Sequence, residues 1–150
     1  MSAAPANALK VVLGRRYRFA ASHRLHSERL SEEENRRVYG KCDNPYGHGH
    51  NYLVEVQVSG SVDPATGMIA NLAGLDEFVQ REVLDAFDHR NLSEEIPQFR
   101  EKVATTENLC IEIFSRLNAF PAARLERVRI EETGKNSFEY AGDTTPRSKP

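Results

Sequence analysis

Cys42, His48 and His50 fall within nine residues, in the run Cys-Asp-Asn-Pro-Tyr-Gly-His-Gly-His. A strand beginning at about Gly47 alternates its side chains, so His48 and His50 point to one side and one metal ion could bind both. Catalytic zinc usually takes three protein ligands and keeps a fourth position open. His23 is the natural third, because it shares the apolar parity of the preceding strand pattern and lies near its end. A core histidine bonded to backbone is the plain alternative for His23 alone. Three imidazoles on agreeing faces favour a metal. His26 has the opposite parity and falls in a loop, so it is set aside.

Cys42 admits two roles. It could close the metal as a fourth ligand, or act as a free thiolate base or nucleophile beside it; spacing leaves both open. Cys110 falls on a helical apolar stripe and reads as a small core residue. Asp88-His89 is a carboxylate–imidazole couple suited to tuning proton transfer. The residues alone slightly favour the plain alternative, a helix end with a histidine on the dipole. Glu131 and Glu132 are separated by strand parity. Glu132 shares a face with Val128 and Ile130, where a carboxylate needs a partner, so it is the better site candidate. Glu107 follows Thr105 and Thr106 at a helix start. It could favour the helix N-terminus, or accept two hydrogen bonds from an N–C–N ligand edge.

These residues need a scaffold. Strand patterns run from Lys10 to Arg24, with Arg15 breaking the apolar parity, and from about Gly47 to Ser59. Between them, residues 25–38 read as a long charged loop with a helical turn after Ser31. Asp63 to Gly67 is a turn signal. Asn71 and Thr105-Thr106 are N-caps for helices over about 72–87 and 106–118. Residues 92–102 read as a connector containing Pro97. Strands at 125–133 and about 137–141 complete an α+β fold. The expected fold is a four-stranded antiparallel sheet with two helices on one face. Its open edges are a physical reason to oligomerise.

The chain has 150 residues, 39% hydrophobic and 28% charged, with a formal net charge of −2. That suits one domain with its own core, an ordered part over about 10–141, and flexible ends at 1–8 and 142–150. The balance gives no general attraction for nucleic acid or anionic membrane. No apolar run approaches the roughly 20 residues of a membrane helix. With no secretory signal pattern and two cysteines, the expected location is the cytoplasm.

Six segments together resemble the 6-pyruvoyl-tetrahydropterin synthase family: Phe19 to Leu25, Cys42 to Asn51, Asp63 to Met68 with Asn71-Leu72, Leu84 to Leu92, Thr105 to Asn108, and Glu132-Thr133. The resemblance implies the tunnelling fold, in which trimerisation joins three sheets into a barrel and two trimers stack into a homohexamer. It implies conversion of 7,8-dihydroneopterin triphosphate to 6-pyruvoyl-tetrahydropterin with loss of triphosphate, in tetrahydrobiopterin biosynthesis. By motif it makes His23, His48 and His50 the zinc ligands and Cys42 the proton-abstracting base. Asp88 and His89 become a supporting couple supplied by a neighbouring subunit, Glu132 a second acidic relay, and Glu107, with Thr105 and Thr106, the pterin-binding group. Position 131 is also acidic, so the Glu132 match rests on Thr133 and parity. The runner-up is a 6-carboxy-tetrahydropterin synthase of the queuosine route, whose cysteine stands closer to the His-x-His pair. From another class comes a non-catalytic zinc protein closed by Cys42.

Overall fold

The computed structural model of the chain describes residues 10–143. Of the ends expected to be flexible, residues 1–8 and 144–150 lie outside the described residues.

Two long strands form the centre. Strand β1 (Lys10–His23) pairs antiparallel with β2 (His48–Ser61) along its whole length, from Lys10↔Ser61 to His23↔His48. Alternation buries Phe19, Ala21 and His23 on β1 and Tyr52, Val54, Val56 and Val58 on β2. The other face stays polar, where Arg16 donates to Glu55 at 3.0 Å and Gln57 donates to the same carboxylate at 3.0 Å.

Arg15, which breaks the apolar parity, has a partner on the inner face. Its Nε and Nη2 each donate to Asp76 at 2.7 Å, and the Tyr17 hydroxyl donates to Asp76 at 2.8 Å. A two-pronged guanidinium–carboxylate contact satisfies both ions with fixed geometry. It ties β1 to helix α2. That helix runs from Leu72–Val79 through a wider π turn, Gln80–Leu84, to Asp85–Phe87. Asn71 caps it, accepting from the N–H groups of Ala73 and Gly74.

The expected helix at 106–118 is present as Thr106–Leu117, and Thr105 caps it by accepting from the Asn108 N–H. It buries Leu109, Cys110, Ile113, Phe114 and Leu117 in the core that also receives Leu75, Val79, Val83 and Phe87 from α2. Both helices therefore cover one face of the sheet. Strand β4 (Arg124–Thr133) lies beside β2, and β5 (Asn136–Tyr140) beside β4. A bulge at Gln57/Val58 interrupts the β2–β4 ladder.

Three features depart from the expectation. The sheet has five strands and is mixed, in the order β3-β1-β2-β4-β5. Its extra strand, β3 (Arg90–Asn91), runs parallel to Ala21 and Ser22 of β1. Two polar residues carry no alternation to read. The pairing is imposed by the end of α2, where the His89 N–H donates to the Ala20 carbonyl at 2.6 Å. Second, the charged segment after Ser31 is a full helix, α1 (Glu32–Tyr39), closed by a Ser31–Glu34 capping box. Its polar surface hides the helical period, because Asn35 is its one buried residue. The Asn35 side chain accepts from the Ser27 N–H and donates to the Ser27, Leu30 and Ser31 carbonyls, which shapes the loop before it. Third, the connector holds a short helix, α3 (Leu92–Glu95), and a 3-10 turn, Pro97–Phe99. The helix Thr106–Leu117 is accordingly α4.

Candidate active site

The β1–β2 register sets His23 opposite His48 and Ala21 opposite His50. Both strands direct these imidazoles to the inner face, where the three rings form a near-equilateral cluster. Ring centroids are 4.7 Å apart for His23–His48, 5.0 Å for His23–His50 and 4.8 Å for His48–His50. One nitrogen from each ring can be chosen so that all lie within 4.8 Å of one another. Gly47 permits the approach to the cluster. Its φ is +73°, and a Cβ there would stand 3.0 Å from the His23 carbonyl oxygen.

His23 is held from behind. Its Nδ1 lies 2.7 Å from the Ala104 carbonyl. A carbonyl only accepts, so Nδ1 carries the proton and Nε2 presents its lone pair forward. That Nε2 is 3.1 Å from His48 Nε2. Burial lowers the pKa of His23 and of His50, so both tend to the neutral form that binds metal. Backing of one ring nitrogen while the other faces a shared point is how proteins orient metal-binding histidines. The donor set therefore fits zinc, with nitrogen ligands and no requirement for a fourth protein group.

Glu132 completes the wall. Its Oε2 is 3.9 Å from His50 Nε2 and 4.0 Å from His23 Nε2. The Thr106 hydroxyl donates to that oxygen, and Asn136 Nδ2 donates to the other at 3.2 Å. The carboxylate on the inner face thus has partners: Thr106 and Asn136 donate to its two oxygens. Burial and the Glu132 charge both push the neighbouring Tyr52 hydroxyl above its ordinary pKa.

The remaining candidates stand apart within one chain. Cys42 sits half-buried in the 3-10 turn Gly40–Asp43, outside the group of donors that close to 4.8 Å among the described residues. Asp88 ends α2, where its carboxylate accepts from the Ala20 N–H at 2.9 Å and stands 3.0 Å from His89 Nδ1. His89 has φ +61°, the one non-glycine residue at positive φ among those described. Such a conformation persists only where surroundings impose it, and it clusters at functional sites. The His89 ring is exposed and shares a groove with His50, Asn51 and Arg90. Glu107 is exposed in the first turn of α4. Cys110 is buried, its thiol pushed up to about 12 mainly by that burial. His26, set aside by parity, binds Asp43 instead. The buried Asp43 directly after Cys42 carries no sequence signal of its own, because a loop gives no face to read.

Comparison with known proteins decides the family. The profile of the 6-pyruvoyl tetrahydropterin synthase family matches residues 13–143. The chain belongs to this family. Within it, a 6-pyruvoyl tetrahydrobiopterin synthase of Poecilia reticulata is 51% identical over 126 residues, covering 83% of this chain and 86% of the relative. A human protein of the same name is 46% identical over 132 residues, covering 87% and 91%. The solved 6-pyruvoyl tetrahydropterin synthase of Caenorhabditis elegans superposes with a TM-score of 0.85 at 45% identity, covering 89% of this chain and 96% of that one. The family and its named members indicate a lyase.

Proposed function

We propose that this member of the family converts 7,8-dihydroneopterin triphosphate to 6-pyruvoyl-tetrahydropterin and triphosphate, using zinc held by His23, His48 and His50. The observation that carries the metal reading is the convergence of the three rings, with His23 Nδ1 committed to the Ala104 carbonyl. Zinc there would act as a Lewis acid, making the C–H protons of the substrate side chain more acidic. The chain's residues do the rest. The Cys42 thiolate takes a proton from substrate carbon, and the electron pair left behind expels triphosphate. Asp88 and His89 form the supporting couple, brought by a neighbouring subunit. Glu132, held by Thr106 and Asn136, relays a second proton. Glu107, with Thr105 and Thr106, receives the pterin ring. The later rearrangement is internal tautomerisation and needs no external reductant.

The proposed assembly is a homohexamer of two stacked trimers, with three sheets joined into a barrel. The polar outer face of the sheet and the unpaired edges of β3 and β5 support it. No helix among the described residues is long and apolar enough to cross a membrane; the proposed location is the cytoplasm.

The test is turnover of 7,8-dihydroneopterin triphosphate with the product identified by mass. A pyruvoyl product with free triphosphate is expected. A carboxy product would move the chain to the queuosine-type reaction, and no turnover with zinc bound would favour a purely zinc-binding protein.

A further inference from the structure

The three residues that follow His23 all grip the Cys42–Asp43 dipeptide. The Leu25 N–H donates to the Cys42 carbonyl at 2.8 Å. Arg24 Nε donates to the Asp43 carbonyl at 2.9 Å, and its Nη2 approaches Asp43 Oδ1 at 3.2 Å. His26 Nδ1 donates to the same Oδ1 at 2.6 Å. Asp43 is only 8% exposed. A buried carboxylate is tolerated when charge-assisted hydrogen bonds receive it, and here both donors come from one short segment.

Among the described residues, the turn that carries Cys42 is otherwise held only through backbone bonds at its two ends. It spans Gly40–Asp43, has no side-chain cap, and its exit is closed by one long bond, Asn44 N–H to the Lys41 carbonyl at 3.3 Å. Gly40 at its start adopts φ +56° and caps α1, its N–H donating to the Arg36 carbonyl. The contacts to residues 24–26 are what join the turn to the end of β1. The same segment emerges directly from His23, whose ring belongs to the three-histidine cluster.

We propose that Asp43 is a positioning residue: with Arg24 and His26 it clamps the Cys42 turn to the segment leaving His23, and so fixes where the thiol-bearing turn stands relative to the end of β1. The catalytic half of this inference rests on the reading of Cys42 as the base. The clamp stands on geometry alone. Two variants of the zinc-loaded full-length protein test it. Asp43→Ala removes both acceptor oxygens, whereas Asp43→Asn keeps one in place.

Amide hydrogen exchange at Leu25 should accelerate about tenfold or more in Asp43→Ala, because its bond to the Cys42 carbonyl opens locally. In the same variant kcat should fall about 100-fold with KM and zinc content unchanged, the expected result of misplacing a reacting group by about 1 Å. Asp43→Asn should keep Leu25 protected and retain most of kcat. His26→Phe, a milder loss of one donor, should speed Leu25 exchange in the same direction by a smaller factor. Wild-type exchange at Leu25 in both Asp43→Ala and His26→Phe would overturn the clamp. Equal loss of kcat in Asp43→Ala and Asp43→Asn would overturn positioning as the cause. Full turnover in Cys42→Ala would overturn the base reading, while Leu25 exchange would still judge the clamp.

Discussion

His23 and His48 are directly opposite each other in the β1–β2 ladder, and their Nε2 atoms stand 3.1 Å apart. With His50 they offer three ring nitrogens within 4.8 Å of one another, a group that one metal ion could join. Replacing His48 by Ala should therefore abolish bound zinc, read as metal content of the purified protein by elemental analysis. The β1–β2 pairing itself needs no imidazole, so the variant should keep its circular-dichroism spectrum. Stoichiometric zinc in His48→Ala would contradict the three-histidine site.

Cys42 lies outside the group of mutually close donors. Cys42→Ala should accordingly retain zinc and lose turnover by about 100- to 10,000-fold, the usual weight of a general base. Metal loss in this variant would instead indicate a closed site with the thiol as a ligand.

Glu107 and Glu131 are both carboxylates outside the core. Only Glu107 stands where α4 begins, beside Thr105 and the Thr106 that binds Glu132. Glu107→Ala should raise KM for the pterin substrate at least about tenfold, the scale of one lost charge-assisted pair. Glu131→Ala should leave KM within a factor of about two, as expected of a change outside any site. Similar small effects from both would remove Glu107 from pterin binding.

Arg15 hydrogen-bonds Asp76 and holds its carboxyl below the ordinary carboxylate range. A carboxyl depressed in the folded state adds stability above its unfolded pKa of about 3.9, and that stability is lost as pH falls through the folded value. Asp76→Asn should lower the melting temperature by a few degrees at pH 7, and the gap to wild type should shrink towards pH 3. A gap independent of pH would show that the contact acts through shape alone.

Much of this protein is legible in one dimension. Period two in β1 and β2 is a direct consequence of strand geometry. It placed His23, His48 and His50 on the same face and separated Glu132 from Glu131, without any knowledge of what lay across the sheet. Caps at Asn71 and Thr105 marked two helices because their side chains serve the first free N–H groups of the same segment. Periodicity was silent where a segment has no apolar face. Helix α1 buries Asn35 alone, so the segment reads as a loop with a single helical turn after Ser31. Strand β3 is two polar residues that pair because the end of α2 hydrogen-bonds Ala20. Tertiary structure alone decided that Ala104 backs the His23 ring, that Thr106 receives Glu132, and that Arg24 and His26 converge on Asp43. In each pair the partners are 17 or more residues apart, and neither the Ala104 carbonyl nor the Asp43 carboxylate lies on a strand whose parity could be read. Local sequence determines which way a side chain points from its own strand or helix; what it meets there is set by chain segments that only folding brings together.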